Sequence, residues 1–480
     1  MSPALSTQKT WNHSAHEHRT ARHSAHAHSA HAHSAHEHRT ARRRMAAVCL
    51  AALLALAGAC STAEQTNSSK QSNSSEQGNP SKQSSSSEQS KDTQEPQPSS
   101  AAESVPRLER DGDAYRVPDP LPTQEPGRLL AVTPGRSSKT FGGVTRIELL
   151  YVSSRYDGQP VAVSGTLLTP KGAPPEGGWP IVSWGHGTTG VADVCAPSTT
   201  ENLYYNEYAQ QVRSLLATGY AVAASDYIGL ATPGPHSYTV GVDLGNAMAD
   251  IVPAARSADP KLSTTWFAIG HSEGGQAALF ATRSAARHPD LHLAATVAIA
   301  PTSSLGSALQ AIISGGLPAD VVYGLYLLVG LSTVDPSITV EQFSGPAAAP
   351  HLDLITQSGC LLDAFPKFET ENVDQVFNIS PTDMARISGL LAAVGNPDQE
   401  PTVGPLLLVQ GEDDQDIPAG ITELLSEHLQ QLGVDVTLRV YPDLGHDTVL
   451  GPATCETLDW LAQHGGPTPA DCVPEPTDMS

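Results

Sequence analysis

Positive charge is what this chain most lacks. Lys and Arg number 27 against 50 Asp and Glu, for a formal net charge of −23 over 480 residues. Without residues 1–59, which carry seven basic and two acidic side chains, the balance falls to −28. No basic patch stands anywhere in the remainder, which argues against nucleic acid as a partner. So acidic a surface keeps an exported protein soluble and says nothing about substrate. Long apolar runs are missing too: the run Ala46 to Ala57 is too short to span a bilayer as a helix. Cysteine is scarce, six in all, and the spacings match no zinc pattern. Aromatic residues make up only 5% of the chain, and none falls in residues 61–104.

The first 105 residues divide by composition. Residues 13 to 41 repeat His-Ser-Ala-His and hold ten of the nineteen histidines. Such a tract can bind metal, but it reads better as a low-complexity leader or an upstream start included in the sequence. Arg42-Arg43-Arg44, the apolar run and Gly58-Ala59-Cys60 then form a secretory signal peptide. Cysteine directly after Ala-Gly-Ala resembles a bacterial lipoprotein cleavage box, in which Cys60 becomes the lipidated first residue. Plain secretion and twin-arginine export are the alternatives. The Ser, Gln, Glu, Asn, Lys and Pro of residues 60–105 cannot bury enough apolar surface to offset chain entropy, so a disordered tether is expected there. The expected organisation is therefore leader and signal over 1–59, tether over 60–105 and one catalytic domain over 106–480.

Within that domain the apolar pattern changes rhythm. Val144 to Ser153 and Pro160 to Leu168 flank the turn at Asp157-Gly158 and predict an antiparallel hairpin. Apolar strands then alternate with helical stretches. Strands are expected at 179–184, 221–225, 265–269, 294–300, 406–409 and 436–440, with helices near 201–218, 241–257, 275–288 and 419–432. Near-continuous apolar strands alternating with helices argue a mostly parallel sheet covered on both faces. An antiparallel start to that order is the pattern of the α/β-hydrolase fold. The interval 302–400 interrupts it. A structureless loop of such length is improbable in a compact domain, so a helical cap is expected, centred on the apolar stretch 319–331. Val322, Leu325, Tyr326 and Val329 in it read as packing core before they read as an acyl tunnel.

The chemistry-bearing stretch is Trp266 to Gly275, in which an apolar strand ends in Gly270-His271-Ser272-Glu273-Gly274 and passes at once into an Ala-rich helix. Strand, tight turn and helix around Gly-x-Ser-x-Gly make a nucleophile elbow, whose glycines let strand and helix approach. An ordinary glycine-rich loop is the bland alternative, and the flanking strand and helix disfavour it. A serine hydroxyl needs an adjacent base. In this fold the acid and then the base follow downstream. Gly411-Glu412-Asp413-Asp414-Gln415-Asp416-Ile417-Pro418 offers three aspartates, and the Gly-x-x-Asp-x-x-aliphatic-Pro pattern selects Asp414, leaving Asp413 and Asp416 as loop acids or caps. Gly445-His446 after the last strand supplies the base. His428, in a helical pattern, and His464, in a C-terminal loop, are poorer choices. The oxyanion donors expected are the amide of Glu273 and an amide from Gly185-His186-Gly187-Thr188-Thr189-Gly190, Thr188 first and Gly187 next. The Glu273 carboxylate so close to a developing anion raises a question about optimal pH. His186 reads as a brace, and Asp226 to Leu230 with Pro233 to Tyr238 as residues that shape the site. Cys195, Cys360, Cys455 and Cys472 are an even set in an exported chain, so two disulfides are expected. Cys455 with Cys472 would close a short loop and leave Cys195 with Cys360, a pairing that sequence alone leaves open.

Taken together, the Gly185–Gly190 loop, Asp226-Tyr227-Ile228-Gly229-Leu230, the Ser272 elbow, the Asp414 loop and Gly445-His446 resemble the secretory lipase family over roughly residues 130–465. The resemblance implies a carboxylic-ester hydrolase with a helical cap admitting an acyl chain, and a disulfide joining the loop after the oxyanion segment to the cap, which fits Cys195 with Cys360. The expectation is an exported, monomeric serine ester hydrolase working through an acyl-enzyme with no metal or cofactor, on a small-molecule or lipid ester, attached to the membrane if Cys60 is lipidated. A serine peptidase or amidase is the alternative enzyme, since the same triad attacks amides. A non-catalytic binding module is disfavoured because all three triad members are present.

Overall fold

The computed structural model describes residues 105–315, 320–470 and 472. The leader, the signal segment, Cys60 and the tether lie outside the described residues.

Among the described residues there are twelve strands. β1 (Arg110–Asp111) and β2 (Ala114–Tyr115) form a small hairpin. The other ten make one sheet: β3 (Leu129–Val132), β4 (Arg136–Ser138), β5 (Val144–Ser154), β6 (Pro160–Thr169), β7 (Trp179–Gly185), β8 (Ala221–Ser225), β9 (Leu262–His271), β10 (His292–Ile299), β11 (Leu406–Gly411) and β12 (Val436–Tyr441). Their order is β12-β11-β10-β9-β7-β8-β6-β5-β3, with β4 also paired to β5. Pairing from β8 to β12 is parallel, and β3 to β6 join antiparallel. This is the expected mostly parallel sheet with an antiparallel start.

The strands alternate in which face they fill, and each face has its own core. Val182, Trp184, Val222, Ala224, Phe267 and Ile269 pack with α1 (Asn206–Thr218) and the C-terminal α9 (Leu450–Gln463). Their neighbours Ile181, Ala221, Ala223, Trp266 and Ala268 pack with α2 (Gly241–Ala258) and α3 (Glu273–Ser284). Successive side chains of a strand point to opposite faces, so burial on both sides requires the unbroken apolar runs seen in the sequence. Each fully buried large apolar side chain contributes about 1.5–3 kcal/mol, and most positions of β7 to β11 are buried.

Between β10 and β11 the chain leaves the sheet for a helical insertion containing α4 (Leu305–Ile313), α5 (Val321–Ser332), α6 (Leu361–Phe368) and α7 (Pro381–Gly395). Its core is its own: Val322, Leu325, Tyr326 and Val329 of α5 are all buried in a cluster to which the body contributes Val191 and Tyr238. α8 (Ala419–Gln431) then links β11 and β12. The insertion is tied to the body at the carboxyl ends of the strands. Leu361 N–H donates to the Thr189 carbonyl at 2.8 Å, Gln276 Nε2 to the Gly395 carbonyl at 2.6 Å, and Arg155 to the Thr333 carbonyl at 2.5 Å. Disulfides join Cys195 to Cys360 and Cys455 to Cys472. No helix among the described residues is long and apolar enough to cross a membrane.

Two expectations need correction. The helix expected near 201–218 begins only at Asn206, because Leu203 and Tyr204 adopt φ of 58° and 84°. Burial of Leu203 and the bond from the Tyr205 hydroxyl to the Thr188 carbonyl outweigh helical propensity there. Strands β1 to β4 were not foreseen, being too short to show alternation.

Candidate active site

Ser272 follows directly on β9 and precedes the first turn of α3, with φ 59° and ψ −119°. Non-glycine residues avoid this region, and a β-strand that must reverse into a helix within one residue leaves no other route. The flanking glycines supply the room: a Cβ on Gly270 would overlap the Gly274 carbonyl, and one on Gly274 would overlap the Gly185 carbonyl. Ser272 is partly exposed, and its Oγ has no hydrogen-bond partner among the described residues.

The Asp414 loop follows β11 and the His446 loop follows β12, so adjacent strands deliver both groups. His446 Nδ1 lies 2.8 Å from Asp414 Oδ2. The remaining lone pairs of Asp414 are filled by Gln410 Nε2 at 2.8 Å and by the amides of Asp416 at 2.9 Å and Ile417 at 2.8 Å. Gln410 is itself held by Thr422 Oγ1 at 2.6 Å, a supporting role that nothing in the sequence announced. Burial resists ionisation of both partners, but their mutual attraction prevails. Asp414 is held below the usual carboxylate range by His446 and its donors. His446 is raised above the ordinary imidazole value by Asp414, then by Asp416 and Asp447. His428 and His464 are committed elsewhere, to Asp398 and to the Trp460 carbonyl.

The loop after β7 passes close to the serine, since a Cβ on Gly187 would sit 3.1 Å from the Ser272 Cβ. Gly187 N–H, expected as one oxyanion donor, is already donated to the Tyr208 hydroxyl at 3.0 Å. Gly187 N–H is thus engaged by a side chain, whereas the Thr188 amide has no acceptor among the described residues. The Glu273 amide opens α3 and likewise has none, and the helix N-terminus adds its positive dipole end there. His186 braces as expected: its Nδ1 meets the Gly187 carbonyl at 2.7 Å and its ring lies 4.3 Å from that of Tyr227.

The Glu273 carboxylate turns away from this corner. It is buried and contacts His236 Nε2 at 3.1 Å, while His236 Nδ1 contacts the Ile228 carbonyl at 2.8 Å. A carbonyl only accepts, so Nδ1 carries a proton, and the Nε2–Oε1 contact holds one more on one partner or the other. The pair is therefore neutral overall, which answers the concern over a bare carboxylate beside the oxyanion site. Asp226, singled out in the second loop, is buried and accepts from Ser164 Oγ at 2.6 Å and from the Ser198 amide at 2.8 Å. It anchors a loop and faces no reacting atom.

His271 escaped the sequence reading altogether. Buried between the Tyr208 hydroxyl at 3.0 Å and the His446 carbonyl at 3.1 Å, it places its ring 4.5 Å from that of His446. Burial, and then the neighbouring His446, lower its pKa to about 4. Ligand atoms of His271, His446 and Asp447, and of Asp414, Asp416 and His446, lie within 4.8 Å of one another. Both ring nitrogens of His271 are already engaged by protein groups, so the first set cannot take a metal ion through His271 without breaking those bonds.

The fold is that of the α/β-hydrolases, with the candidate residues gathered on the loops at the carboxyl ends of its parallel strands. Within that class the assignment narrows: residues 197–464 match the family described as Secretory lipase, and the chain belongs to that family. The match starts later than the expected 130. Among solved structures the chain is similar to lipase A of Candida antarctica in its closed state, with TM-score 0.62 and 18% identity over 76% of this chain and 89% of that one. It is also similar to the rice cell wall degrading esterase LipA of Xanthomonas oryzae, with TM-score 0.56 and 22% identity over 67% and 92%. At such identities these likenesses speak for the fold. No curated protein matches the chain. The chain is a hydrolase of the lipase and esterase kind.

Proposed function

We propose that the chain is an exported serine hydrolase of carboxylic esters of fatty acyl chains, with Ser272 as nucleophile, His446 as base and Asp414 as the group that orients it. The observation that carries this reading is the 2.8 Å contact from Asp414 to His446 Nδ1, made beside a serine on a tight strand-to-helix turn. With Nδ1 so occupied, Nε2 is the ring atom left to take the Ser272 proton. The hydroxyl oxygen attacks the ester carbonyl, and the amides of Glu273 and Thr188 stabilise the tetrahedral oxyanion. The C–O bond to the alcohol breaks as His446 returns the proton to the leaving oxygen. Water, deprotonated by the same nitrogen, then releases the acid and restores the serine. Catalytic hydrogen bonds such as one from Ser272 Oγ to His446 Nε2 are often long or poorly aligned until substrate binds.

Two disulfides within the described residues favour an oxidising destination. A lipidated Cys60 and a tether would hold the catalytic domain off a membrane surface; a Cys60→Ala variant recovered in the membrane fraction as abundantly as wild type would remove the anchor from this reading. The helical insertion is the part that meets the acyl chain. Release of p-nitrophenol from esters of graded chain length should be brought to background by Ser272→Ala, and an alanine variant that kept full activity would end the assignment.

A further inference from the structure

Three hydrogen bonds run in sequence through the base of the site, and a neutral His271 fixes their direction. The His446 carbonyl can only accept, so His271 Nε2, at 3.1 Å, carries the proton. A neutral His271 then offers Nδ1 as an acceptor. The Tyr208 hydroxyl, 3.0 Å away, donates its single proton to that nitrogen. The same hydroxyl oxygen, its proton used, accepts from Gly187 N–H at 3.0 Å. Tyr208 and His271 are 2% and 1% exposed, so water does not substitute for any link. Low basicity of His271 agrees with this tautomer at neutral pH. The links connect four separate pieces of chain: the loop after β7, helix α1, the residue before Ser272, and the His446 loop.

We infer that Tyr208 and His271 are positioning residues that act as one unit, setting the oxyanion loop at Gly187–Thr188 and the base at His446 in register on either side of Ser272. The two partners of Ser272 sit on loops of separate strands, β7 and β12, and nothing in the sheet pairing fixes one loop against the other. The relay supplies that connection. Neither side chain reaches a reacting atom; each acts through the backbone it holds. The inference rests on the serine hydrolase reading for its kinetic arm, and on the hydrogen-bond polarity alone for its spectroscopic arm.

The test combines both arms on the full-length chain. In 15N-edited spectra of wild type, the His271 ring should show a protonated Nε2 and a bare Nδ1 across the neutral range, and Tyr208→Phe should relax that preference. With p-nitrophenyl esters, Tyr208→Phe and His271→Leu should each lower kcat by about 10- to 100-fold, the scale of a small misplacement of catalytic groups, with KM nearly unchanged. The double variant should be no worse than the poorer single one, because both break one chain of bonds. His271→Gln, whose amide can donate to the His446 carbonyl and accept from Tyr208, should recover most of the loss. Multiplicative losses in the double variant, a protonated Nδ1 on His271, or lowered Tm with intact kcat would each overturn the relay. A wild-type chain that cleaved no ester yet showed the forced tautomer would instead overturn the function and leave the relay standing.

Discussion

Two carboxylate–imidazole pairs stand beside Ser272, and they differ less in composition than in which nitrogen is left over. In one, Asp414 takes Nδ1 of His446, and the histidine side chain keeps about 10% of its surface exposed. In the other, Glu273 takes Nε2 of His236, a backbone carbonyl takes Nδ1, and the ring is sealed at 0% exposure. Only the first has an unassigned nitrogen and a path for a proton. The second holds the turn between Ile228 and Tyr238 against helix α3. A buried acid–histidine contact is thus poor evidence of catalysis by itself, and the unassigned nitrogen is the informative feature.

The comparison can be broken most sharply at Asp414. An Asp414→Asn variant should lose about 10⁴-fold in kcat, the size expected when an amide selects the wrong imidazole tautomer, as measured by steady-state ester hydrolysis. It should also move the pH profile. His446 must be neutral to accept a proton, and its folded-state pKa is raised by Asp414. Wild-type activity should therefore climb with pH along a limb displaced above the ordinary imidazole value of about 6.5. Removing the carboxylate should bring that limb downward; a limb that stayed in place would deny Asp414 its electrostatic role. Glu273→Gln is the matching change in the sealed pair. Its amide can donate to a neutral His236, so turnover should change by less than about tenfold, far below the loss of a true oxyanion donor. A collapse comparable to Asp414→Asn would erase the distinction between the two pairs. The smallest effect on turnover is expected from replacing Cys195 and Cys360 with alanine. The chain-entropy account assigns a loop of this span about 5 kcal/mol of stability, visible as a lowered Tm. The pH limb should stay where it was, since the bridge touches neither His446 nor Asp414.

The sequence made much of this legible, and the limits have physical causes. Strands β7 to β11 were readable because they are largely apolar and mostly buried on both faces, and β5 and β6 because a turn signal separates them. The three triad candidates were readable because the fold constrains their chain order and the elements they follow. Asp414 stood out from Asp413 and Asp416 by its place before Ile417-Pro418, and the amide of Ile417 proves to be one of its donors. The bond made by Gly187 was hidden because nothing in a one-dimensional string shows an amide proton given to a tyrosine 21 residues away. His271 and His236 were hidden for the same reason: their roles depend on what each ring nitrogen faces. A signal for His271 did exist, in its place immediately before the nucleophile. Tyr208 had none beyond a local run of tyrosines.

The bond from Leu361 to Thr189 gives the helical insertion a grip on the loop that carries Thr188, one residue from the amide in question, and the Cys195–Cys360 bridge adds a second hold beside it. On the proposed function, an acyl group bulky enough to displace the insertion at that point would pull on the loop proposed to receive the oxyanion. Selectivity for chain length would then reach the turnover step as well as binding, and poor substrates would be slow even when saturating.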